Sequence, residues 1–585
     1  MKKVSRWFGF CALFVFIIIG SIGSCNNGGN GNFVEVRSDV PSDIPGGAQS
    51  ASLRQAAVFA WQEFIALNWP ALSGTRDTPD NSELFGDPNF DGPLVWHTYR
   101  HKVEIYPGTG NPPGFVNNPF SDFGYNSVPP QYVYGEGEVE PCEGQTPVSD
   151  AAWINVDEVT QIGSNFMFAG AGPQVSDVNS EPQLIRFLAK GNRNEYTYVV
   201  NPDLSLWNHT SSPSDEPYWD MVDNFMAVAN GNGNPSTLPG PVIDFPDGMI
   251  ETKGAWRELT EAEKNSGRFY STTARYYQED EAAPNGACYR EAEWGLVSMH
   301  IIHKTPSAPY FIYTTIEQID ALLTPAGQPV EDESGNIINQ PDTASTTPAL
   351  VYMDGDPPSL NIVGDTFCEN TGLRLYYQEI ASGLPMGGNI CQNFRDFSIP
   401  ETIINVNRDA HEAIEIYNLE NGLDDSVWLY YKLTNVQWRP FDVTEINADN
   451  PNSVNNMATF YLSDAGIETD FSLQHFRGRT YFDTPAGFGL PTDLPVNFNN
   501  FDPSRQTYQN TLVFDGDELV ETYNMGGCMG CHGAAQEVGT DFSFILEGGR
   551  VAAPEHPDVP NPGDTNSLPV VNQFKTLEEI LEDYQ

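Results

Sequence analysis

The sequence predicts an α+β protein with a large, mainly-β, loop-rich body containing a few helices, followed by a small α-helical C-terminal domain. Three observations carry this. Aromatic residues make up 12 % of the 585 positions, while glycine (52) and proline (45) are abundant, the composition of a turn-rich globular chain rather than a disordered one. Short apolar-aromatic runs bounded by turn residues recur through the middle of the chain, as strands require. Near the end, Thr576-x-x-Glu579 opens a run with Leu577, Ile580, Leu581 and Tyr584 on one side, a capping box ahead of an amphipathic helix. The length allows two to four domains and a sizeable core.

The elements follow in order. Lys2, Lys3 and Arg6 precede an apolar run, Trp7 to Ile19, too short for a comfortable membrane span, so residues 1–24 read as a signal peptide. The segment ends Ile22-Gly23-Ser24-Cys25, which resembles a bacterial lipobox. That resemblance implies that Cys25 becomes the acylated first residue; ordinary cleavage with a spare thiol is the alternative. Asn26 after the cysteine resembles outer-membrane lipoproteins, implying a cell-envelope location facing the periplasm or the cell surface. Residues 25–49, rich in Gly and Asn, read as a flexible tether.

A helix is expected over 51–68, with Leu53, Ala57, Ala60, Trp61, Phe64 and Leu67 at helical spacing and Pro70 ending it. Asp87-Pro-Asn-Phe-Asp-Gly92 matches half of a calcium loop, but Thr98 stands where the bidentate Glu belongs, so a solvated turn is expected. His97 and His101, four apart, are expected to share a face. Residues 107–150 read as loop. Strand-like runs follow at 153–156, 166–171, 184–188 and 195–200. Trp294 to Lys304 and Tyr310 to Ile316 flank a Pro-rich turn and read as a long hairpin, on which His300 and His303 face opposite ways. Residues 321–366 read as a loop-dominated insertion, 373–378 and 427–436 as strands, and 408–418 as a helix. Arg477 and Arg479 form the most basic patch and suit planar carboxylates. The body is thus 50–505 and the small domain 506–585.

Function is concentrated in Cys528-Met529-Gly530-Cys531-His532. CxxCH is the attachment signature for c-type haem: two thiols add to the porphyrin vinyls and the following imidazole reaches the iron. No second Cys or His pair stands nearby to complete a zinc site. Here the chain resembles c-type cytochromes, over roughly its last 80 residues; phrases at 64–70, 300–306 and 528–546 are also similar to exported bacterial cytochrome-like proteins. The resemblance implies one covalent haem c held by Cys528 and Cys531 with His532 as proximal ligand, in a cytochrome c-like domain. Residues 515–523 are expected to form the short helix before the pentad. No methionine follows Met529, so the distal ligand is open: His556, a body residue such as Met386, Met457, His475 or His97, or none.

Of eight cysteines, Cys11 leaves with the signal, Cys25 takes lipid and two take haem. Cys142, Cys288, Cys368 and Cys391 remain. An oxidising compartment favours two disulfides, Cys368 with Cys391 first because their loop is short; four buried thiols are the alternative. With 79 acidic against 28 basic residues the net charge is −51, which repels nucleic acid and attracts a basic redox partner. The expected function is an exported, lipid-anchored mono-haem cytochrome in electron transfer. A haem-dependent oxidoreductase acting on a small substrate and a non-enzymatic ligand-binding sensor are the alternatives. No GxSxG, Walker, HExxH or dinucleotide motif is found in a suitable context.

Overall fold

A computed structural model describes residues 33–147, 152–159, 167–169, 183–204, 206–208, 243–321, 328–339, 349–353, 359–363, 375–377, 398–424, 426–439, 441–442, 512–515, 518–524, 528, 532, 541, 543–546 and 549–556. The signal segment, Cys25, Cys368, Cys391, Met386, Met457, His475, Arg477, Arg479, Cys531 and the helix expected at 577–584 lie outside the described residues.

The chain is mainly β. Its first helix, α1 (Leu53–Leu67), opens with a reciprocal capping box between Ser52 and Gln55 and ends at Asn68, two residues before Pro70. From Ala56 to Leu67 every residue is buried, Gln62 and Glu63 included, so α1 is a central helix. Eight strands make the principal sheet: β1 (Arg100–His101), β2 (Ile154–Val156), β3 (Arg186–Gly191), β4 (Ile250–Glu258), β5 (Ser271–Glu279), β6 (Ala287–Thr305), β7 (Ala308–Gln318) and β8 (Tyr431–Gln437).

The long strand β6 organises this sheet. Along one edge it pairs with β4 (Trp294↔Glu258 to His303↔Ile250). Along the other its first half pairs with β5 and its second half with β7. Beyond β7 the sheet continues to β8. Beyond β5 it turns back, because β5 takes β2 as a parallel neighbour, and Glu158, just past β2, exchanges both backbone hydrogen bonds with Phe187 of β3. Since β3 pairs with β4, the strands β3–β4–β6–β5–β2 form a ring, with β7 and β8 as an open extension.

α1 and the helix α3 (Glu401–Asn421) cover the extension on one side; α2 (Arg193–Val199) follows β3. Trp61 of α1 donates to Asn407 Oδ1 (2.7 Å), while Asn407 Nδ2 donates to the Leu433 carbonyl of β8 (3.0 Å), so one amide joins both helices to the sheet. Glu63 meets His303 Nδ1 at 2.6 Å in the same apolar core.

Several expectations are corrected. Residues 515–523 are not a helix: Leu512–Asp515 and Glu518–Asn524 are paired antiparallel strands, and Leu519, Val520, Thr522 and Tyr523 suit a strand. Residues 195–200 fall largely in α2, because the Asn192 side chain accepts from Glu195 N and caps a helix. The insertion 321–366 contains paired strands at Ala349–Met353 and Ser359–Val363. The helix expected at 408–418 spans Glu401–Asn421, ending at Gly422 in the left-handed conformation. The stretch read as tether is docked from Val34 onward: Val34, Ile44 and Ala48 are buried, and Asp43 Oδ1 accepts from Thr305 and Ser307. Cys142 and Cys288 are joined by a disulfide that fastens the loop after Glu138 to the start of β6.

Candidate functional site

The extension of the sheet has two unlike faces, which its register makes explicit. On the side of α1 stand Ile301, Met299, Ile312, Ile316, Leu433 and Val436. The other face carries three cross-strand rows running from β3 to β8. The first is Gly191, Glu251, Ile302, Tyr313 and Gln437; the second is Ala189, Lys253, His300, Thr315 and Asn435; the third is Phe187, Ala255, Ser298, Glu317 and Lys432. A face this polar is nevertheless buried almost throughout, so further chain covers it.

Part of that cover is the C-terminal segment holding the pentad. Cys528 and His532, four apart in the sequence, both have helical backbone. Cys528 packs at the margin of an apolar cluster containing Ile302, Tyr310, Phe311, Tyr313, Ile545 and Leu546. The His532 ring lies 4.9 Å from that of Tyr313 and 5.0 Å from that of Phe544, and is half-buried. Downstream, Ser543 donates to Glu251 Oε2 (2.7 Å), and Asp541 pairs with Lys304 (2.7 Å) while accepting from Phe245 N. Val551 N donates to the Tyr106 carbonyl, and Gly135 N to that of Ala552. Glu555 accepts from Val159 N and so binds the ring closure; His556, next along, is half-buried beside it.

The electrostatics follow from burial. Glu195 of α2 is fully buried with neither carboxylate oxygen hydrogen-bonded, and desolvation, reinforced by neighbouring Glu251, holds its carboxyl well above the usual range. Burial likewise raises Glu251, against the hydrogen bond from Ser543. Deeper in the body, burial would raise Glu104, but Arg76 (2.7 and 2.9 Å) and Arg100 bring it down to about 2.

The histidines singled out by sequence go to separate places. His97 lies in a short 3-10 turn beside Trp96, Trp256 and Tyr270, accepts from Leu94 N, and is held neutral by burial and by Lys190. His101 begins a different network, with Nε2 3.1 Å from Asp157. The two do not share a face, because the chain leaves the turn at Tyr99 and enters β1. His300 and His303 do face opposite ways: His303 meets Glu63 on the α1 side, and His300 Nδ1 meets Thr315 Oγ1 (3.1 Å) on the polar side. Sequence reasoning missed Tyr313, Phe544, Glu251 and Ser543. Only the Ser-Phe-Ile-Leu run ending at 546 hinted that the chain after the pentad is built into a core.

Set against the covalent haem the pentad implies, the described residues fit. A half-buried cysteine borders an apolar-aromatic cluster, and an imidazole four residues later contacts two aromatic rings. Among the described residues, no group of three or more His, Cys, Asp or Glu side chains could hold a bare metal ion. No helix among them is long and apolar enough to cross a membrane. No protein-family model, curated protein or solved structure matches the chain.

Proposed function

We propose that this chain is an exported, lipid-anchored mono-haem c-type cytochrome that passes electrons, with Cys528 and Cys531 tethering haem c and His532 as its axial base. The observation that carries the reading is His532 in contact with Tyr313 and Phe544, with Cys528, four residues earlier, against the cluster that contains Tyr313. When bound, the haem supplies a one-electron iron couple. Tyr313 and Phe544 fix the plane of the imidazole, and Ile302, Phe311, Ile545 and Leu546 keep water from that side. The half-exposure of Cys528 and His532 leaves an approach from solvent.

Two further observations support parts of this reading. The Cys142–Cys288 disulfide suits an oxidising compartment, in keeping with export through residues 1–24 and anchoring at Cys25. The net charge of −51 suits a basic redox partner. Residues 506–585 are, on this reading, a haem domain braced by the β body rather than one hung from it. Stopped-flow mixing of the reduced, matured chain with a small basic cytochrome tests the carrier role. Fast transfer that slows steeply between low and high salt is expected. Haem oxidation that ignores the partner at every ionic strength would overturn it.

A further inference from the structure

Asn192 caps α2 and turns the chain back over the end of β3, which brings Glu195 against Gly191. A β-carbon at Gly191 would lie 2.1 Å from Glu195 Oε2, so the carboxyl fills the space that a side chain there would take. Gly191 is the cross-strand partner of Glu251, and β-carbons at such positions stand about 5 Å apart. Glu195 and Glu251 are therefore side by side and buried, and neither oxygen of Glu195 has a hydrogen-bond partner. Glu251 in turn accepts from Ser543, whose Oγ accepts from Ile545 N (3.0 Å). We propose that Glu195 and Glu251 form a proton-binding site that latches 543–546 to the body: protonated, the pair holds that stretch down, and ionised, it releases it. The latch acts whether or not the pentad carries haem.

Two neighbouring carboxylates out of reach of water resist double ionisation. Burial, and then Glu251, push the Glu195 carboxyl up; burial also raises Glu251, against the Ser543 hydrogen bond and the positive Lys253 and Lys102. Those lysines are shared with Glu158 (3.7 and 3.9 Å), and Lys304 of β6 is engaged by Asp541 and Asp244. His300, one row away on β6, meets Thr315. A bare cation asks for more oxygen ligands, and among the described residues no third acid joins the pair. On ionisation 543–546 yields rather than α2, because α2 continues from β3 and is capped, whereas 543–546 reaches the pair through the Ser543 hydroxyl.

An acid whose folded pKa lies above its unfolded one supports docking below the unfolded value and ceases to as pH rises toward the folded one. In that window each opening releases a proton. The test is hydrogen exchange of the Ile545 amide in the full chain, corrected for intrinsic exchange, from about pH 5 to about pH 8. The opening constant of the wild type is expected to rise about tenfold per pH unit. Glu195→Gln keeps the shape of the protonated form and cannot ionise, so its opening constant is expected to rise far less. An infrared band of protonated carboxyl is expected in the wild type at neutral pH, vanishing in step with the protection of Ile545; if Glu195→Gln does not fold, this titration decides. Equal slopes in the two chains, no protonated carboxyl at neutral pH, or a band that titrates with no change at Ile545 would overturn the assignment. So would protection of Ile545 by added calcium in the wild type but not in Glu195→Gln, since the pair would then be a cation site.

Discussion

Glu104 shows how single residues hold this body together. It is fully buried, receives two hydrogen bonds from Arg76 and lies 3.6 Å from Arg100. Burial alone would raise its pKa, but Arg76 and Arg100 hold the carboxyl down to about 2, below the usual carboxylate range. A depressed carboxylate contributes stability that is fully present above the unfolded value and is lost as pH falls toward the folded one. Resistance to urea should therefore fall between pH 4.5 and about 2. Glu104→Gln should lose roughly 3–5 kcal/mol at pH 7, because it leaves two buried guanidinium groups without their counter-charge; its own share of the acid loss should vanish. Equal acid sensitivity in variant and wild type would refute this role. At this scale the sequence was partly legible. The strand period alone sets His300 and His303 on opposite faces. The four-residue spacing of His97 and His101 misleads, since the backbone changes conformation between them.

Elements were legible where local chemistry acts alone. The apolar spacing of α1 and the Pro70 that follows place it within two residues, and the hairpin of β6 and β7 was read as one, although β6 starts at Ala287 rather than at Trp294. They were misread where two signals compete. Residues 515–523 read as a short helix, yet the aromatic and β-branched residues among them suit the strand that Glu518–Asn524 forms. Residues 195–200 look strand-like until Asn192 is recognised as a cap. The Cys142–Cys288 disulfide works at this scale, closing a loop with a sequence separation of 146 beside the bridge between Pro141 and Tyr289. Loop entropy puts its contribution on the order of 5 kcal/mol. Cys142→Ser with Cys288→Ser should lower the thermal midpoint while leaving the His532 environment intact. An unchanged melt would mean that the link adds nothing to stability.

At the scale of the molecule, the ring was not legible, because β2 meets β5 across more than a hundred residues and is sealed to β3 by one pair of backbone hydrogen bonds. Nor was the way the C-terminal segment is sewn in. Ile545 and Leu546 are buried in the body's second core, and Asp541 meets buried Lys304. Removing residues 506–585 should forfeit roughly 3–6 kcal/mol from those two apolar side chains alone and leave Lys304 without one of its two carboxylates. The truncated body should aggregate or melt without cooperativity; a soluble fragment that melts sharply would show that the body folds independently.

The central claim is that this segment carries covalent porphyrin. Intact mass of the denatured, matured full chain tests it most directly. The account predicts one added haem, abolished when Cys528 and Cys531 are both changed to Ser. A mass equal to that of the bare polypeptide from a host that loads other c-type cytochromes would contradict it.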